Sequence, residues 1–231
     1  EYTNDYDSLF TTTNTEPGMY NYFDPKWHPY YKDTRLHTMQ SVSKSLTATA
    51  VGIALKNDQI PGLDAKVMNY FDEYESSTPD HRRDAMTIKD VLTMTTGIKW
   101  DESSMPYTDP TSNCVQMEKS SDWIQYVIDQ PMAFEPGEKF EYNSGATMLL
   151  SYLINNTTGL DLTDYIETNL FDVLGITEYY WKHTPRGLTD AEGGLYLTPR
   201  DLAKFGYLYL HNGKWDGKQV LPENWVENTL A

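Results

Sequence analysis

The chain has 231 residues and carries 34 acidic against 18 basic side chains, a formal net charge of −16 at pH 7. This length allows one sizeable domain or two small ones, and an aromatic content of 13% predicts a globular fold rather than a disordered acidic chain. So negative a field repels phosphate backbones and anionic lipid, which argues against a nucleic-acid-binding or membrane-surface protein.

Composition also limits the chemistry. Cys114 is the only cysteine, which excludes an intrachain disulfide and a cysteine-based zinc site. The five histidines show no metal-ligand spacing, so we expect neither a metal nor an organic cofactor. No apolar run approaches the roughly 18 residues of a membrane-spanning helix. The first residues do not form a signal peptide, and one removed by cleavage would leave no trace.

The N-terminal part of the chain predicts a lead-in followed by one domain. Residues 1–36 are rich in Tyr, Asn, Asp, Thr and Pro without a sustained period, and we expect them to be irregular. Residues 37–231 form the predicted domain, with a helical subdomain over about 63–170. The first strong helix covers 41–56, and its small and apolar residues predict burial on most faces.

The later elements are mostly helical. We expect a short helix at 63–71, a polar loop at 75–83, and a helix that Thr87 caps together with Asp90. Loop-like sequence covers 98–121 and surrounds residues 179–181. The remaining predictions are helices at 123–128, 146–155, 161–173, 198–210 and 222–229, and a hairpin at 214–220.

The first chemical motif is Ser41-Val42-Ser43-Lys44, a Ser-x-x-Lys at the start of a buried helix. Residues three apart share a helix face, so the Lys44 amine can reach the Ser41 hydroxyl. The Ser41 backbone N–H can donate to an oxyanion, and burial should lower the pKa of Lys44 so that it accepts a proton. On its own the motif is weak evidence for catalysis, because a serine that caps a helix and a lysine that reaches solvent also fit it. However, a lone cation in so apolar a helix needs a partner or a role.

The second motif is Tyr142-Asn143-Ser144, which follows Pro136-Gly137 and precedes an apolar helix. Ser-x-x-Lys with such a Tyr-x-Ser about a hundred residues later resembles the serine β-lactamase and penicillin-binding-protein superfamily. The likeness is to its class C-like branch of esterases, D-peptidases and nylon-oligomer hydrolases. The stretches at 92–97 (LTMTTG) and 193–206 (GGLYLTPRDLAKFG) also resemble family segments.

The resemblance implies a β-lactamase/transpeptidase-like α+β fold, mainly helical, with an antiparallel sheet that is incomplete in this chain. It implies a serine hydrolase in which Ser41 forms an acyl-enzyme while Lys44 and Tyr142 act as general base and acid; which of the two is the base stays open. Ser144 stands where many members have Asn, which favours an ester or amide hydrolase over a β-lactamase. Tyr180 and Trp181 are further candidates for substrate binding.

The family's third motif, Lys-Thr-Gly or His-x-Gly on a strand, has no convincing match. His211-Asn212-Gly213 fits by letters, but its place after a predicted helix indicates a helix end with a left-handed glycine. The family's opening hairpin has no clear counterpart in 1–36. We expect Glu192 to be a solvated loop carboxylate and Asp201 a residue of a first helical turn.

Two alternatives to an esterase or amidase remain open. One is a non-catalytic relative that keeps the fold as a binding module, which the missing third motif favours and the joint presence of Ser41, Lys44 and Tyr142 opposes. The other is a penicillin-binding peptidase acting on D-peptides. In either enzyme the partner is a small ester, amide or peptide, without nucleic acid. The resemblance further implies export to the periplasm or the extracellular space.

Overall fold

The computed structural model describes residues 34–105, 107 and 109–230, so the predicted lead-in lies almost wholly outside the described residues. The helices in this part are α1 (Ser43–Lys56), α2 (His81–Ala85), α3 (Ile88–Leu92), α4 (Asn113–Lys119), α5 (Trp123–Ile128), α6 (Ser144–Thr158), α7 (Leu162–Ile166), α8 (Asp172–Leu174), α9 (Pro199–Leu210) and α10 (Trp225–Leu230). The strands are β1 (His37–Thr38), β2 (Tyr179–Trp181), β3 (Leu195–Leu197), β4 (Lys214–Trp215) and β5 (Lys218–Gln219). Turns of 3₁₀ helix cover Gln40–Val42 and Val67–Tyr70, and a π-helical turn covers Glu167–Phe171.

Two helices form the centre of the core. Helix α6 lies against α1, α3 and α5, and most of its residues are buried. Leu46 of α1 and Leu149 of α6 are both 0% exposed. Burying a side chain of this size contributes roughly 1.5–3 kcal/mol, so the two apolar helices supply much of the driving force for folding.

A small antiparallel sheet covers one side of these helices. Its strand order is β1-β3-β2, with His37 opposite Leu197 on one side of β3 and Tyr179 opposite Leu197 on the other. The backbone N–H of Met39 extends this pairing by donating to the carbonyl of Leu195 at 2.8 Å. The chain just after β1 is therefore held beside the chain just before β3.

Most predicted elements are confirmed. Helices form at Trp123–Ile128 and Pro199–Leu210, and the hairpin forms from β4 and β5. Thr87 and Asp90 make the predicted reciprocal cap, and Asp201 accepts from Thr198 in the first turn of α9.

The sequence prediction fails in four places. The predicted short helix at 63–71 is only a 3₁₀ turn over Val67–Tyr70. The predicted loop at 98–121 contains α4, the predicted loop at 75–83 includes the start of α2, and the stretch around 179–181 is strand β2. These elements have seven, five and three residues, too few for a hydrophobic period to be recognised. Packing stabilises α4 instead, since Cys114, Val115 and Met117 are buried.

The end of α9 settles the reading of His211-Asn212-Gly213. Gly213 has φ +74°, and its N–H donates to the carbonyl of Leu208 at 2.9 Å. A side chain there would place Cβ 2.6 Å from Cβ of Leu221, so only glycine fits this helix end. The letters that resemble the third motif serve as a helix cap, as predicted.

The architecture confirms an α+β fold with small antiparallel sheets. Within the part of the chain that the structure describes, no helix is both long and apolar enough to cross a membrane.

Candidate active site

The 3₁₀ turn at Gln40–Val42 carries Ser41 from the sheet into helix α1. Gln40 has φ +46°, a left-handed conformation that residues other than glycine adopt infrequently. Its side-chain amide donates to Oγ1 of Thr38 at 2.8 Å. This sharp turn leaves the Ser41 side chain exposed at the N-terminal end of a helix that is otherwise buried.

The three predicted catalytic side chains come together at the Ser41 hydroxyl. Lys44 Nζ donates to Ser41 Oγ at 3.3 Å, and the phenol of Tyr142 donates to the same oxygen at 2.8 Å. The ammonium of Lys44 also lies 5.3 Å from the centroid of the Tyr142 ring. A serine hydroxyl with two proton-carrying groups in hydrogen-bond range has the geometry of an activated nucleophile.

The LTMTTG stretch positions Tyr142 through the backbone. The N–H of Glu141 donates to the carbonyl of Met94 at 2.9 Å, and the N–H of Ala133 donates to the carbonyl of Gly97 at 2.7 Å. Gly97 has φ +76°, and a Cβ there would lie 2.4 Å from the carbonyl oxygen of Phe134. Glycine is therefore required for the chain that ends at Tyr142 to approach this closely.

The environment of Lys44 shows that the predicted lowering of its pKa was wrong. Burial acts to lower the pKa, as predicted, but the charge of Glu192 acts in the opposite direction and the pKa of Lys44 is raised overall. Nζ donates to the Glu192 carbonyl at 2.6 Å and lies 3.4 Å from Oε2 of the same residue. Lys44 is therefore held as an ammonium ion, with Glu192 as its partner.

The prediction for Glu192 was wrong for the same reason. Its side chain is 11% exposed and paired with Lys44 rather than solvated. The chain before β3 is fastened to α1, since Thr47 Oγ1 donates to the Ala191 carbonyl at 3.2 Å and the Leu195 N–H donates to Ser43 Oγ at 3.2 Å. In the sequence, a lone lysine in the apolar helix α1 indicated that Lys44 needs a partner. The sequence does not show which acid is that partner.

Glu102, which the sequence did not single out, anchors the start of helix α6. It accepts from the Ser144 hydroxyl at 2.8 Å, from the Ser144 N–H at 3.0 Å and from Nε1 of Trp100 at 2.5 Å. The residue is 1% exposed, and burial raises its pKa. These bonds fix Ser144 two residues beyond Tyr142, so Glu102 orders one wall of the site.

A cavity of about 70 Å³ opens at Ser41. Of the predicted substrate-binding residues, Ser144 lines it, whereas Tyr180 and Trp181 do not. Trp181 is 2% exposed and donates Nε1 to the Asp190 carbonyl at 2.7 Å, and the Tyr180 ring packs on Tyr196 at 5.7 Å between centroids. Trp181 is buried in the core and Tyr180 packs within the sheet, so neither residue lines this cavity, and their role in substrate binding stays a prediction. The cavity is lined by Gln40, Ser41, Tyr107, Cys114, Glu118, Ser144 and Glu192.

Other clefts are larger than this cavity but lack comparable chemistry. One of about 730 Å³ lies between α9 and the β4–β5 hairpin, and its lining includes Tyr207, His211 and Trp215. None of the predicted catalytic residues lines it. Volume alone therefore does not identify the site.

Three possible metal ligands lie together in the cavity wall. Sγ of Cys114 and carboxylate oxygens of Glu118 and Glu192 are all within 4.8 Å of one another. Burial raises the pKa of the Cys114 thiol, which disfavours the thiolate that a metal would need. The Lys44 ammonium already faces Glu192, so this cluster is better suited to hold a proton than a metal ion.

The chain is similar in sequence to hydrolases and penicillin-binding proteins of bacteria. The chain is 29% identical over 206 residues to 6-aminohexanoate-dimer hydrolase of Paenarthrobacter ureafaciens, covering 84% of the chain and 50% of that protein. It is 24% identical over 200 residues to penicillin-binding protein 4* of Bacillus subtilis, covering 80% of the chain and 42% of that protein. The chain thus spans half or less of the length of these relatives.

Solved structures show the same fold. A Bacillus anthracis protein assigned as a 6-aminohexanoate-dimer hydrolase superposes with a TM-score of 0.73 at 24% identity, over 86% of this chain and 53% of that one. A penicillin-binding protein from Bacillus halodurans superposes with a TM-score of 0.65 at 20% identity, over 85% of this chain and 65% of that one. The Beta-lactamase family model matches residues 13–230. The chain therefore belongs to the Beta-lactamase family, the superfamily of serine hydrolases that its motifs resemble.

Proposed function

We propose that this chain carries the nucleophile and the proton-transfer groups of a serine hydrolase that cleaves an ester or amide. The observation that carries the proposal is the position of Ser41 Oγ, within hydrogen-bond distance of both Lys44 Nζ and the Tyr142 hydroxyl, at 3.3 Å and 2.8 Å. The name of one relative, 6-aminohexanoate-dimer hydrolase, supports a hydrolase.

The reaction requires that the three groups together have lost one proton. Either Lys44 is neutral or Tyr142 is ionised. Burial acts to lower the pKa of Lys44, but the charge of Glu192 outweighs it and the pKa is raised, which favours the ammonium form. The Tyr142 oxygen is also the nearer group to Ser41 Oγ, at 2.8 Å against 3.3 Å for Lys44 Nζ, so we infer that it accepts the serine proton. Lys44 then serves as a cation beside the Tyr142 oxygen and the reacting oxygen.

In the first half of the reaction, Ser41 Oγ bonds to the carbonyl carbon and its proton passes to the Tyr142 oxygen. The carbonyl π electrons move to oxygen, giving an oxyanion near the N-terminal end of α1. When the oxyanion collapses, the bond to the leaving group breaks and Tyr142 returns the proton to that group. Water then attacks the acyl-enzyme in the same way and releases the acid.

The cavity supports a small acyl group. Its volume of about 70 Å³ has room for only a short chain, and the Glu192 carboxylate in its wall would repel an anionic group. A short neutral or cationic acyl group therefore fits better than an anionic one.

The experiment that tests the proposal is intact-mass analysis after incubation with a fluorophosphonate probe. One adduct on Ser41, absent from Ser41→Ala, is the expected result. No adduct on folded protein would contradict the proposal and favour a binding module. Hydrolysis of p-nitrophenyl acetate, 6-aminohexanoate dimer and a D-alanyl-D-alanine peptide, followed alongside acylation by a fluorescent penicillin, then separates the substrate classes.

A further inference from the structure

Glu192 contacts Lys44 twice, through its backbone carbonyl and its carboxylate, at 2.6 Å and 3.4 Å. Both residues are 9% exposed. Because the surrounding protein screens charges less than water does, the Glu192 carboxylate strongly affects the pKa of the buried Lys44 ammonium.

A second carboxyl group lies behind this pair. Glu118 of α4 is partly buried, and one of its oxygens is within 4.8 Å of a carboxylate oxygen of Glu192. Two ionised carboxylates at this separation repel each other, and the repulsion is relieved when one of them holds a proton. Burial and the charge of Glu192 both raise the pKa of Glu118, so the proton resides there.

The neighbouring charges fit this assignment. Lys182 Nζ lies 3.5 Å from Asp190 Oδ2, and Asp190 is 2% exposed. Burial acts to lower the pKa of Lys182, but Asp190 outweighs it and the pKa is raised. With Glu118 protonated, each buried cation has one carboxylate: Asp190 for Lys182 and Glu192 for Lys44. The other titratable groups that act on Glu118, Glu192 or Lys44 are Glu102, Tyr107, Cys114 and Tyr142.

We propose that Glu118 and Glu192 form a proton-sharing carboxyl pair that sets the charge of Lys44 and thereby the pH at which Ser41 becomes reactive. Glu118 in its neutral form donates to Glu192, and the remaining carboxylate holds Lys44 as an ammonium ion. As the pH rises and Glu118 ionises, a second negative charge strengthens the hold on that cation. Both acids are positioning residues, since they act through Lys44. The consequence for reactivity rests on the proposed function, whereas the consequence for the Lys44 charge does not.

The test measures the Lys44 charge directly. Lysine labelled with ¹³C at Cε is titrated by NMR in the full chain, with the Lys44 signal assigned from Lys44→Met. In Glu192→Gln the pKa of Lys44 should fall by about one unit or more, because its main counter-charge is gone. In Glu118→Gln it should fall by less, since only the charge that appears at higher pH is lost. Glu227→Gln, on the exposed face of α10, is the matched control and should leave the titration unchanged.

The second readout is the pH profile of Ser41 labelling by the fluorophosphonate. The pH of half-maximal labelling should fall in the order wild type, Glu118→Gln, Glu192→Gln, because a weaker hold on Lys44 makes the catalytic groups lose their proton more easily. If the pKa of Lys44 is the same in Glu118→Gln and in wild type, the proposal that the carboxyl pair sets the charge of Lys44 is wrong. If Glu192→Gln does not fold, the comparison of the Lys44 pKa between Glu118→Gln and wild type is sufficient to test the carboxyl pair. Absence of labelling in wild type at every pH would reject the proposed function, while the NMR titration would still decide the pair.

Discussion

Lys44 Nζ donates a hydrogen bond to the backbone carbonyl of Glu192 at 2.6 Å, a shorter contact than its 3.3 Å approach to the nucleophile. A carbonyl presented by a segment that is itself bonded to α1 holds the ammonium in one place. The lysine thereby faces the reacting oxygen without having to be ordered during the reaction, which is how a fixed charge lowers a barrier.

Replacing Lys44 by Met should therefore reduce the rate of Ser41 labelling by roughly 100- to 10,000-fold, the range for loss of a proton-transfer or charge-stabilising group. Methionine retains much of the apolar stem and should preserve the fold. The measurement is the second-order rate constant with the fluorophosphonate. Lys89→Ala, an exposed cation on α3, is the control. Equal rates for Lys44→Met and wild type would remove Lys44 from the mechanism.

Tyr142→Phe should lower the labelling rate by a similar factor, roughly 100- to 10,000-fold, because the phenol that contacts Ser41 Oγ is lost while the ring stays. The pH limb of the labelling profile should change with it, since we infer that the Tyr142 oxygen accepts the Ser41 proton. Tyr207→Phe, at a tyrosine that is 51% exposed, removes the same hydroxyl elsewhere and should have no effect. A retained pH limb in Tyr142→Phe would move the base role to Lys44.

Glu102→Ala should destabilise the fold by roughly 1–3 kcal/mol, the cost of leaving buried donors without an acceptor. Three donors, two on Ser144 and one on Trp100, lose their partner at once. Urea unfolding gives the free energy of unfolding. Ser144→Ala, which removes one of the donors and keeps the acceptor, should cost less. A larger loss for Ser144→Ala than for Glu102→Ala would contradict the anchoring role of Glu102.

The carboxyl of Glu118 predicts a pH dependence of stability. Burial, together with the charge of Glu192, raises its pKa in the folded protein above the ordinary value of 4.5, so the native state binds this proton more tightly than the unfolded chain. Stability from this group is full below pH 4.5 and is lost as the pH rises through the folded pKa. The wild type should therefore lose free energy of unfolding over this window relative to Glu118→Gln. Urea titrations at a series of pH values check this, and parallel curves for the two proteins would reject it.

Gly145 makes a prediction about packing at the start of α6. A Cβ at this position would lie 2.6 Å from Cγ2 of Val127 and 2.7 Å from Cη2 of Trp100. Gly145→Ala should cost roughly 1–3 kcal/mol through overpacking and slow Ser41 labelling by shifting Ser144. Gly206→Ala, in α9 with no atom within 4 Å of the new Cβ, should stabilise by roughly 0.5–1 kcal/mol. Equal unfolding free energies for the two variants would refute the steric argument.

Local rules determined much of this protein. Long apolar helices such as α6, the Thr87–Asp90 cap and the glycine end of α9 follow from period and capping chemistry, which depend on residues a few positions apart. Ser41 and Lys44 share a helix face for the same reason. The family resemblance of the motifs supplied Tyr142, 101 residues beyond Ser41.

Contacts between residues far apart in the sequence were determined only by the tertiary structure. Helix α4 is held by packing rather than by a recognisable period, and Glu102 reaches Ser144 across 42 residues. The sign of the Lys44 pKa shift depended on Glu192, 148 residues away, because electrostatic energy depends on distance in space and on burial. Sequence alone predicted which groups react, because motif spacing and family resemblance supply them. Only the folded chain showed which charges surround these groups.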